Sequence, residues 1–369
     1  MLAFCFLAVM VFGTALAIGT KIYRIPVQQA YTIRESSEIR GYAEQKVLKN
    51  GIHVPVRGGP DTQYYTEVSF GTPPQMFKLA IHTGLRSLLI PSVSCISPAC
   101  AGRRTYNSSA SSTYEPIRHD SGSQNFKVRL SQDVLDIGLL QVQGQMFWEA
   151  TSINSFFLEQ FDGQLDLGYP IPGTLRELSP LYNMISQQLL AEPLFTLHLG
   201  SASCNGHLQL GGIDPSDYKG EISYVPLRQG SFWELDLTSI NFANETLALE
   251  NSYSALDSGS SFIRMPSIVA ARLNLHIGAR DGMDRQSVVD CEAIPSLPDL
   301  TIVFGEVSLR LRAEDYIIHT DTQCLSSFVG EDMTDSDGSS IWILGNILLR
   351  SWFSVYDVGR EAVGFAEAA

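Results

Sequence analysis

The sequence predicts a mostly β protein made of two related lobes that face a shared cleft. Short runs rich in β-branched and aromatic residues alternate with Gly, Pro, Ser and Asn, which is typical of strands of about 5–8 residues. One segment of the first half recurs in the second half, and a glycine-containing hydrophobic run follows each copy at a similar distance. Helical spacing of apolar residues is confined to a few segments, notably 175–190 and 267–273.

Composition excludes several classes of protein. The 369 residues suffice for two domains, and 44% hydrophobic with 17% charged residues is not the composition of a disordered chain. The net charge of -14 argues against nucleic acid as a partner, because phosphate binding requires a basic surface. The chain contains no run of Lys and Arg that would indicate binding to a membrane surface.

The N-terminus predicts entry into the secretory pathway. Residues 1–17 are apolar and end in Ala15-Leu16-Ala17, a small-residue cleavage pattern, so we interpret them as a signal peptide. The alternative is a membrane anchor, because the run is almost long enough to span a bilayer. We expect a secreted or lysosomal monomer that has no membrane contact once the signal is removed.

The internal repeat marks the residues of greatest interest. Residues 80–92 align without gaps on residues 255–267, which places His82 opposite Asp257 at an offset of 175 residues. Each copy is a strand that runs into a glycine turn, at Thr83-Gly84 and at Ser258-Gly259-Ser260. Two related lobes that each contribute one tight turn to a common interface are the simplest architecture.

Cysteines and sequons fit an oxidising compartment. Cys95 with Cys100 can close a small loop and Cys291 with Cys324 a larger one, while Cys204 is left free or pairs with another chain. The sequence contains no C-x-x-C pair that would favour metal binding, and we expect neither a metal nor a cofactor. The sequence contains two N-glycosylation sequons, at Asn107 and Asn244.

A pro-segment-like stretch and eight motifs in order resemble the pepsin/cathepsin D family of aspartic peptidases over nearly the whole chain. The stretch is Lys21-Ile22-Tyr23-Arg24-Ile25-Pro26-Val27. The motifs are Gln63-Tyr64-Tyr65, Phe70-Gly71-Thr72-Pro73-Pro74-Gln75, Ser111-Ser112-Thr113-Tyr114, Leu130-Ser131-Gln132-Asp133, Phe161-Asp162-Gly163, Leu210-Gly211-Gly212-Ile213-Asp214, Asp257-Ser258-Gly259-Ser260-Ser261 and Trp342-Ile343-Leu344-Gly345.

The resemblance implies a pepsin-like bilobal fold and a set of boundaries. Residues 18–60 correspond to a pro-segment and residues 61–369 to the peptidase domain, with lobes of about 61–225 and 226–369. The pairs Cys95–Cys100 and Cys291–Cys324 match the two disulfides common in the family. The implied ligand is a peptide or protein bound in the cleft.

The family's chemistry depends on two carboxyl groups, one from each lobe. Two like charges about 3 Å apart do not both ionise, so one carboxyl keeps its proton while the other acts as a base toward water. A hairpin flap covers the cleft and positions the peptide. In this sequence, the family's two carboxyl positions align on residues 82 and 257.

This chain departs from that pattern at linked positions. His82 replaces the first Asp, Leu85 replaces the Ser beside it, and Leu89 replaces a Trp. The flap motif aligns on Ser121-Gly122-Ser123-Gln124, which lacks the Tyr. Asn346 stands where the family has an Asp after Leu344-Gly345, and Asp166 stands where the family has a Gly that packs on the first turn. Arg86 replaces a small polar residue. At position 82 alone the sequence resembles the histo-aspartic plasmepsin pattern.

Each candidate residue has a functional and a structural interpretation. Asp257 and His82 are catalytic candidates, as base and electrostatic partner, and otherwise form a buried structural pair. Thr83 and Ser258 are expected to lock the turns together, with Gly84, Gly259 and Ser260 in support. Asp166 is a candidate partner of His82 or else points to solvent. No ligand spacing supports a metal held by His82, Asp166 and Asp257.

Three functions remain open at this point. The first is a catalytically impaired homologue that keeps the peptide-binding cleft and acts as a binding or decoy protein. The second is an acid endopeptidase with Asp257 as base and His82 as electrostatic partner. The third is an extracellular glycoprotein whose cleft is filled, for instance by its own residues 18–60.

Overall fold

The computed structural model describes residues 22–32, 61–84, 88–123, 126–153, 161–169, 176–199, 206–228, 232–282, 286–320 and 322–369. The predicted signal peptide, most of the predicted pro-segment, Cys204 and the substitutions at Leu85 and Arg86 lie outside these residues.

Strands dominate the described residues, as the sequence predicts. They are β1 (Tyr23–Thr32), β2 (Asp61–Phe70), β3 (Gln75–His82), β4 (Leu89–Pro91), β5 (Glu115–Ser123), β6 (Phe126–Ile137), β7 (Leu140–Ser152), β8 (Gly163–Asp166), β9 (Leu194–His198), β10 (Gly206–Leu210), β11 (Tyr218–Pro226), β12 (Glu234–Asp236), β13 (Ser239–Phe242), β14 (Glu245–Ala248), β15 (Ser252–Leu256), β16 (Ile263–Met265), β17 (Arg280–Asp281), β18 (Ser287–Val289), β19 (Leu300–Phe304), β20 (Val307–Leu311), β21 (Ile317–His319), β22 (Cys324–Ser326), β23 (Phe328–Gly330), β24 (Ser340–Leu344), β25 (Trp352–Asp357) and β26 (Ala362–Ala368).

The helices are short and lie between strands. They are α1 (Pro180–Ser186), α2 (Ser267–His276), α3 (Ala313–Tyr316) and α4 (Asn346–Leu349). The helix predicted over 175–190 is shorter than expected because Pro180 fixes its first turn, where Ser179 accepts a hydrogen bond from the amide of Tyr182 at 3.3 Å. The segment predicted over 267–273 is helical and extends to His276.

Strand order separates the two halves of the chain. The largest sheet has thirteen strands in the order β11-β26-β25-β9-β10-β1-β2-β3-β8-β4-β7-β6-β5. Three smaller sheets, β12-β15-β24-β16-β23, β14-β13-β19-β20 and β17-β18-β22-β21, are all built from residues 234–344. The last two strands then return to the large sheet beside β9 and β11. The prediction of a mostly β, bilobal fold is confirmed.

Aromatic packing joins the halves beneath the two predicted turns. The indole of Trp233 is fully buried, and its Nε1 donates to the carbonyl of Leu167 at 2.9 Å. Its ring lies 5.1 Å from that of Tyr356, which stacks on Phe195 at 4.5 Å. This cluster of buried aromatic rings holds the strand ends that carry the site in place.

Both predicted disulfides are present, joining Cys95 to Cys100 and Cys291 to Cys324. The two sequons differ in their surroundings. Asn244 is exposed at the tip of the β13–β14 hairpin, whereas the Oδ1 of Asn107 accepts a hydrogen bond from the amide of Ser109 at 3.1 Å. Glycosylation at either position stays a prediction.

Candidate active site

The two turns leave equivalent strands in equivalent settings. β3 ends at His82 and pairs in parallel with β8, so that His82 lies beside Asp166. β15 ends one residue before Asp257 and pairs in parallel with β24, so that Leu256 lies beside Leu344. The structure thus brings together the two segments that the internal repeat singled out.

Two glycines allow the turns to approach each other closely. A Cβ built on Gly84 would lie 2.6 Å from the Cβ and Cγ of Asp257. A Cβ built on Gly259 would lie only 1.7 Å from Nδ1 of His82. Each glycine therefore contacts the functional side chain of the opposite turn, and a larger residue at either place would displace it.

Thr83 and Ser258 connect the turns through four reciprocal hydrogen bonds. The Thr83 amide donates to Ser258 Oγ at 3.2 Å, and the Ser258 amide donates to Thr83 Oγ1 at 3.0 Å. Thr83 Oγ1 donates to the carbonyl of Leu256 at 2.9 Å, and Ser258 Oγ donates to the carbonyl of Ile81 at 2.7 Å. Both side chains are buried, so this geometry rigidly fixes the relative position of the turns.

His82 and Asp257 face each other across the two turns. Nδ1 of His82 lies 3.8 Å from Oδ1 of Asp257, and their side chains are 11% and 17% exposed. Asp257 Oδ1 also accepts from the amides of Gly259, at 2.8 Å, and Gly84, at 3.3 Å. Within the described residues, His82 Nδ1 has no hydrogen-bond partner, since 3.8 Å is too long for a hydrogen bond.

The surroundings of Asp257 favour its ionised form. Burial by itself raises the pKa of the carboxyl, but His82 and the amides of Gly259 and Gly84 together exceed that effect. The pKa of Asp257 is therefore lower than its ordinary value. The site thus holds a carboxylate opposite an imidazole, where the family holds two carboxyl groups.

Asp166 occupies a position where the second lobe keeps glycine. A Cβ on the matching residue, Gly345, would lie 2.1 Å from the carbonyl oxygen of Ser260. Asp166 is buried, and its Oδ1 accepts a hydrogen bond from the amide of Gly168 at 2.7 Å. The alternative in which Asp166 points to solvent is therefore wrong, while a direct His82–Asp166 pair stays a prediction.

The β5–β6 hairpin aligns with the family's flap, but the flap Tyr and the Trp that hydrogen-bonds it in the family are both replaced. β5 and β6 are antiparallel, with Ser121 opposite Val128 and Ser123 opposite Phe126. Ser121 is exposed at the position of the family's flap Tyr. Leu89, at the position of the Trp, is buried against Val128 and carries no hydrogen-bond donor.

Arg264 is a feature of the site that our sequence reasoning missed. Its Nε donates to Ser260 Oγ at 3.4 Å, and its Nη1 lies 2.7 Å from Glu331 Oε2. The arginine side chain is 6% exposed and the glutamate 28%. The signal was present in the repeat, which aligns this arginine of a buried strand on Leu89.

Among the described residues, no group of three His, Cys, Asp or Glu residues is arranged to hold a metal ion. In the same part of the chain, no helix has the length and apolarity needed to cross a bilayer.

Comparison with known proteins identifies the family. A profile described as eukaryotic aspartyl protease matches residues 63–368. Vacuolar protease A of Aspergillus fumigatus is 40% identical over 319 residues, which cover 84% of this chain and 79% of that protein. Pepsin A-5 of Mus musculus is 32% identical over 379 aligned positions, covering 96% of this chain and 97% of the relative. The fold, the paired turns and these similarities together show that the chain belongs to the eukaryotic aspartyl protease family.

Proposed function

We propose that this protein is a catalytically impaired member of the family that retains a peptide-binding cleft and acts as a binding or decoy protein. The observation that carries the proposal is that an imidazole, His82, faces Asp257 at 3.8 Å, where the family has a pair of carboxyl groups. The names of its relatives, vacuolar protease A and pepsin, support a vacuolar, lysosomal or secreted location.

The presence of His82 in place of aspartate removes the carboxylic acid that donates a proton in the family's reaction. In a dyad the protonated carboxyl donates to the peptide carbonyl oxygen while the ionised one takes a proton from water. Here Asp257 is held ionised, and no second carboxylic acid lies opposite it at position 82. Loss of one positioned donor typically costs about 10²–10³-fold in rate, and the flap Tyr and its Trp partner are lost as well.

Retention of the peptide-binding scaffold supports the binding half of the proposal. The four hydrogen bonds of Thr83 and Ser258 hold the turns together, although neither residue carries out chemistry. The β5–β6 hairpin stays paired as far as Ser123 and Phe126, beyond a register shift between Pro116 and Asp120. The paired turns and the hairpin are thus both present in this chain, and they support a proposal in which it binds peptides.

A second candidate function is acid endopeptidase activity. The observation in its favour is that Nδ1 of His82 is buried, faces Asp257 and has no hydrogen-bond partner among the described residues. In that reaction Asp257 removes a proton from water, whose oxygen attacks the peptide carbonyl, and a protonated His82 stabilises the resulting oxyanion. Histidine ordinarily changes charge between about pH 5 and 8, so such activity would decline toward neutral pH.

A peptide-retention experiment tests the proposal. The protein is incubated with peptides of mixed sequence at pH 4.5, 5.5 and 6.5, and the retained peptides are identified by mass spectrometry. We expect the retained peptides to be intact. Asp257→Asn should reduce retention about tenfold, because hydrogen bonds to a charged group contribute about 1.5–3 kcal/mol. Asp281→Asn, at an exposed carboxylate on β17, is the matched control and should leave retention unchanged.

Two outcomes would contradict the proposal. Cleaved peptides that are absent from the Asp257→Asn sample would establish the acid endopeptidase. Failure of the wild type to retain any peptide would favour a cleft filled by the protein's own residues, and the decoy function would be rejected.

A further inference from the structure

We propose that an N-linked glycan on Asn244 lies across the exposed apolar side of helix α2. That side, the α2 face, consists of Ile268, Ala271 and Leu275. The partner is thus a carbohydrate carried by the protein itself, and the sugar in contact is the N-acetylglucosamine next to the asparagine. The inference does not depend on whether the cleft binds or cleaves peptides.

The α2 face is apolar although it points to solvent. Ile268 is 81% exposed and Leu275 is 78% exposed, while the opposite side of the helix packs in the core. The two residues are seven positions apart, which is two helical turns, so they lie on one face with Ala271 between them. The other large apolar side chains of comparable exposure in the described ranges do not share a helix or strand. Scattered exposed apolar residues need no explanation, but a set on one face indicates a surface that is covered.

The β13–β14 hairpin brings Asn244 to the edge of this helix. Phe242 pairs with Glu245, so Asn244 lies in the two-residue tip between them. The Glu245 carboxylate contacts Nη2 of Arg272, and its Oε1 lies 3.8 Å from Nε2 of His276. The residue that follows Asn244 is therefore in direct contact with the solvent side of α2.

Arg272 marks the border of the α2 face. It follows Ile268 by four residues and precedes Leu275 by three, and residues at these spacings are neighbours on a helix surface. The hairpin thus meets the helix between the two exposed apolar side chains. The first sugars of a glycan on Asn244 are within reach of both.

A small apolar pocket between the hairpin and α2 suits a sugar better than a second protein chain. Its volume is about 280 Å³, its walls are apolar side chains of both elements, and its rim carries Glu245, Arg272 and His276. N-acetylglucosamine offers a methyl group and C–H faces to the apolar surface, and hydroxyl and amide groups to the charged rim. A second copy of the chain would have to bury those charges, which is costly, whereas a sugar leaves them in contact with water.

The sequon itself is placed for modification. Asn244 and Thr246 are both exposed, as an acceptor site at the protein surface requires. The two disulfides are consistent with folding in an oxidising compartment, where such glycans are attached. A bulky polar glycan at this position shields the α2 face from self-association.

Hydrogen exchange of the secreted protein tests the contact. The full chain is produced in a eukaryotic secretory host, and peptide mapping measures the occupancy of Asn244. Protection of the α2 amides is then compared between the wild type and Asn244→Gln. We expect the variant to lower it about fivefold, which corresponds to about 40 Å² of apolar surface uncovered. Asn107→Gln, which removes the other sequon, is the matched control and should leave α2 unchanged.

A second set of variants identifies the surface that the glycan covers. In a Leu275→Ser background, which keeps the sequon, Asn244→Gln should change α2 protection by less than about twofold. Leu139→Ser, at a 93% exposed leucine in the β6–β7 turn, should keep the fivefold effect. If Asn244→Gln does not fold, Thr246→Ala replaces it. Its control is Thr246→Ser, which keeps the sequon and the hydroxyl that donates to Asn241 Oδ1 at 2.8 Å.

Three results would overturn this inference. The first is an unmodified Asn244 in the secreted protein. The second is α2 protection that is equal in the wild type and Asn244→Gln, or a loss that persists undiminished in the Leu275→Ser background. The third is a glycosylated wild type that forms a dimer in sedimentation and that Leu275→Ser dissociates, because a second copy would then cover the α2 face.

Discussion

Replacement of Gly259 by alanine is expected to destabilise the folded state by about 3 kcal/mol, the upper end of the range of about 1–3 kcal/mol that overpacking a well-packed site typically costs. The added Cβ would lie 1.7 Å from Nδ1 and 2.1 Å from Cε1 of His82. That ring is buried at the end of β3, where the hydrogen bonds of Thr83 fix the backbone of the next residue. The free energy of unfolding in urea measures the loss.

A double-mutant cycle provides the control. In the His82→Ala background the ring is absent, so Gly259→Ala should then cost about 1 kcal/mol or less. A loss of equal size in both backgrounds would mean that the turn, rather than contact with the imidazole, excludes alanine. That result would contradict the close approach of the two turns.

Replacement of His82 by aspartate is expected to reverse the pH dependence of stability. In the wild type the pKa of Asp257 is lowered, so its stabilising contribution is complete above the ordinary value of about 3.9 and is lost as the pH falls through the lowered pKa. A second carboxyl at position 82 would repel the first and strongly raise one pKa of the pair. The variant should therefore be less stable at pH 7 than at pH 4.5.

The expected difference is about 2 kcal/mol, because pH 4.5 already lies above the ordinary carboxyl value of about 3.9 and part of the effect of two pKa units is lost there. Urea unfolding at the two pH values measures it, with His82→Asn as the matched control because asparagine has the same shape as aspartate without its charge. The control should lack the reversed profile. Identical profiles for the aspartate and asparagine variants would show that residues 82 and 257 do not interact electrostatically.

The internal repeat made much of the fold and the core of the site predictable. Aligned strand and glycine positions were enough to place His82 near Asp257, because a carboxyl position at the end of each related strand implies a common interface. The disulfides followed from the family resemblance. Both predictions depend on patterns that are continuous in the sequence.

Contacts between distant, dissimilar segments were not predictable in this way. Arg24 and Asp217 are 193 residues apart, and they meet because β1 pairs with β10, a register that no local pattern specifies. Arg264 was missed because hydrophobic patterning does not reveal that a charge in a buried strand has Glu331 as its partner. Asp166 was open to two interpretations until its burial was known.

Peptide turnover across pH tests the central claim most directly, namely that the pairing of Asp257 with His82 in place of a carboxyl dyad impairs hydrolysis. A mixed peptide library is incubated with wild type and with identically prepared Asp257→Ala from pH 3 to 7.5, and new termini are counted. We predict no cleavage by the wild type above that of the variant at any pH. Cleavage that requires Asp257 would contradict the account and identify an acid endopeptidase.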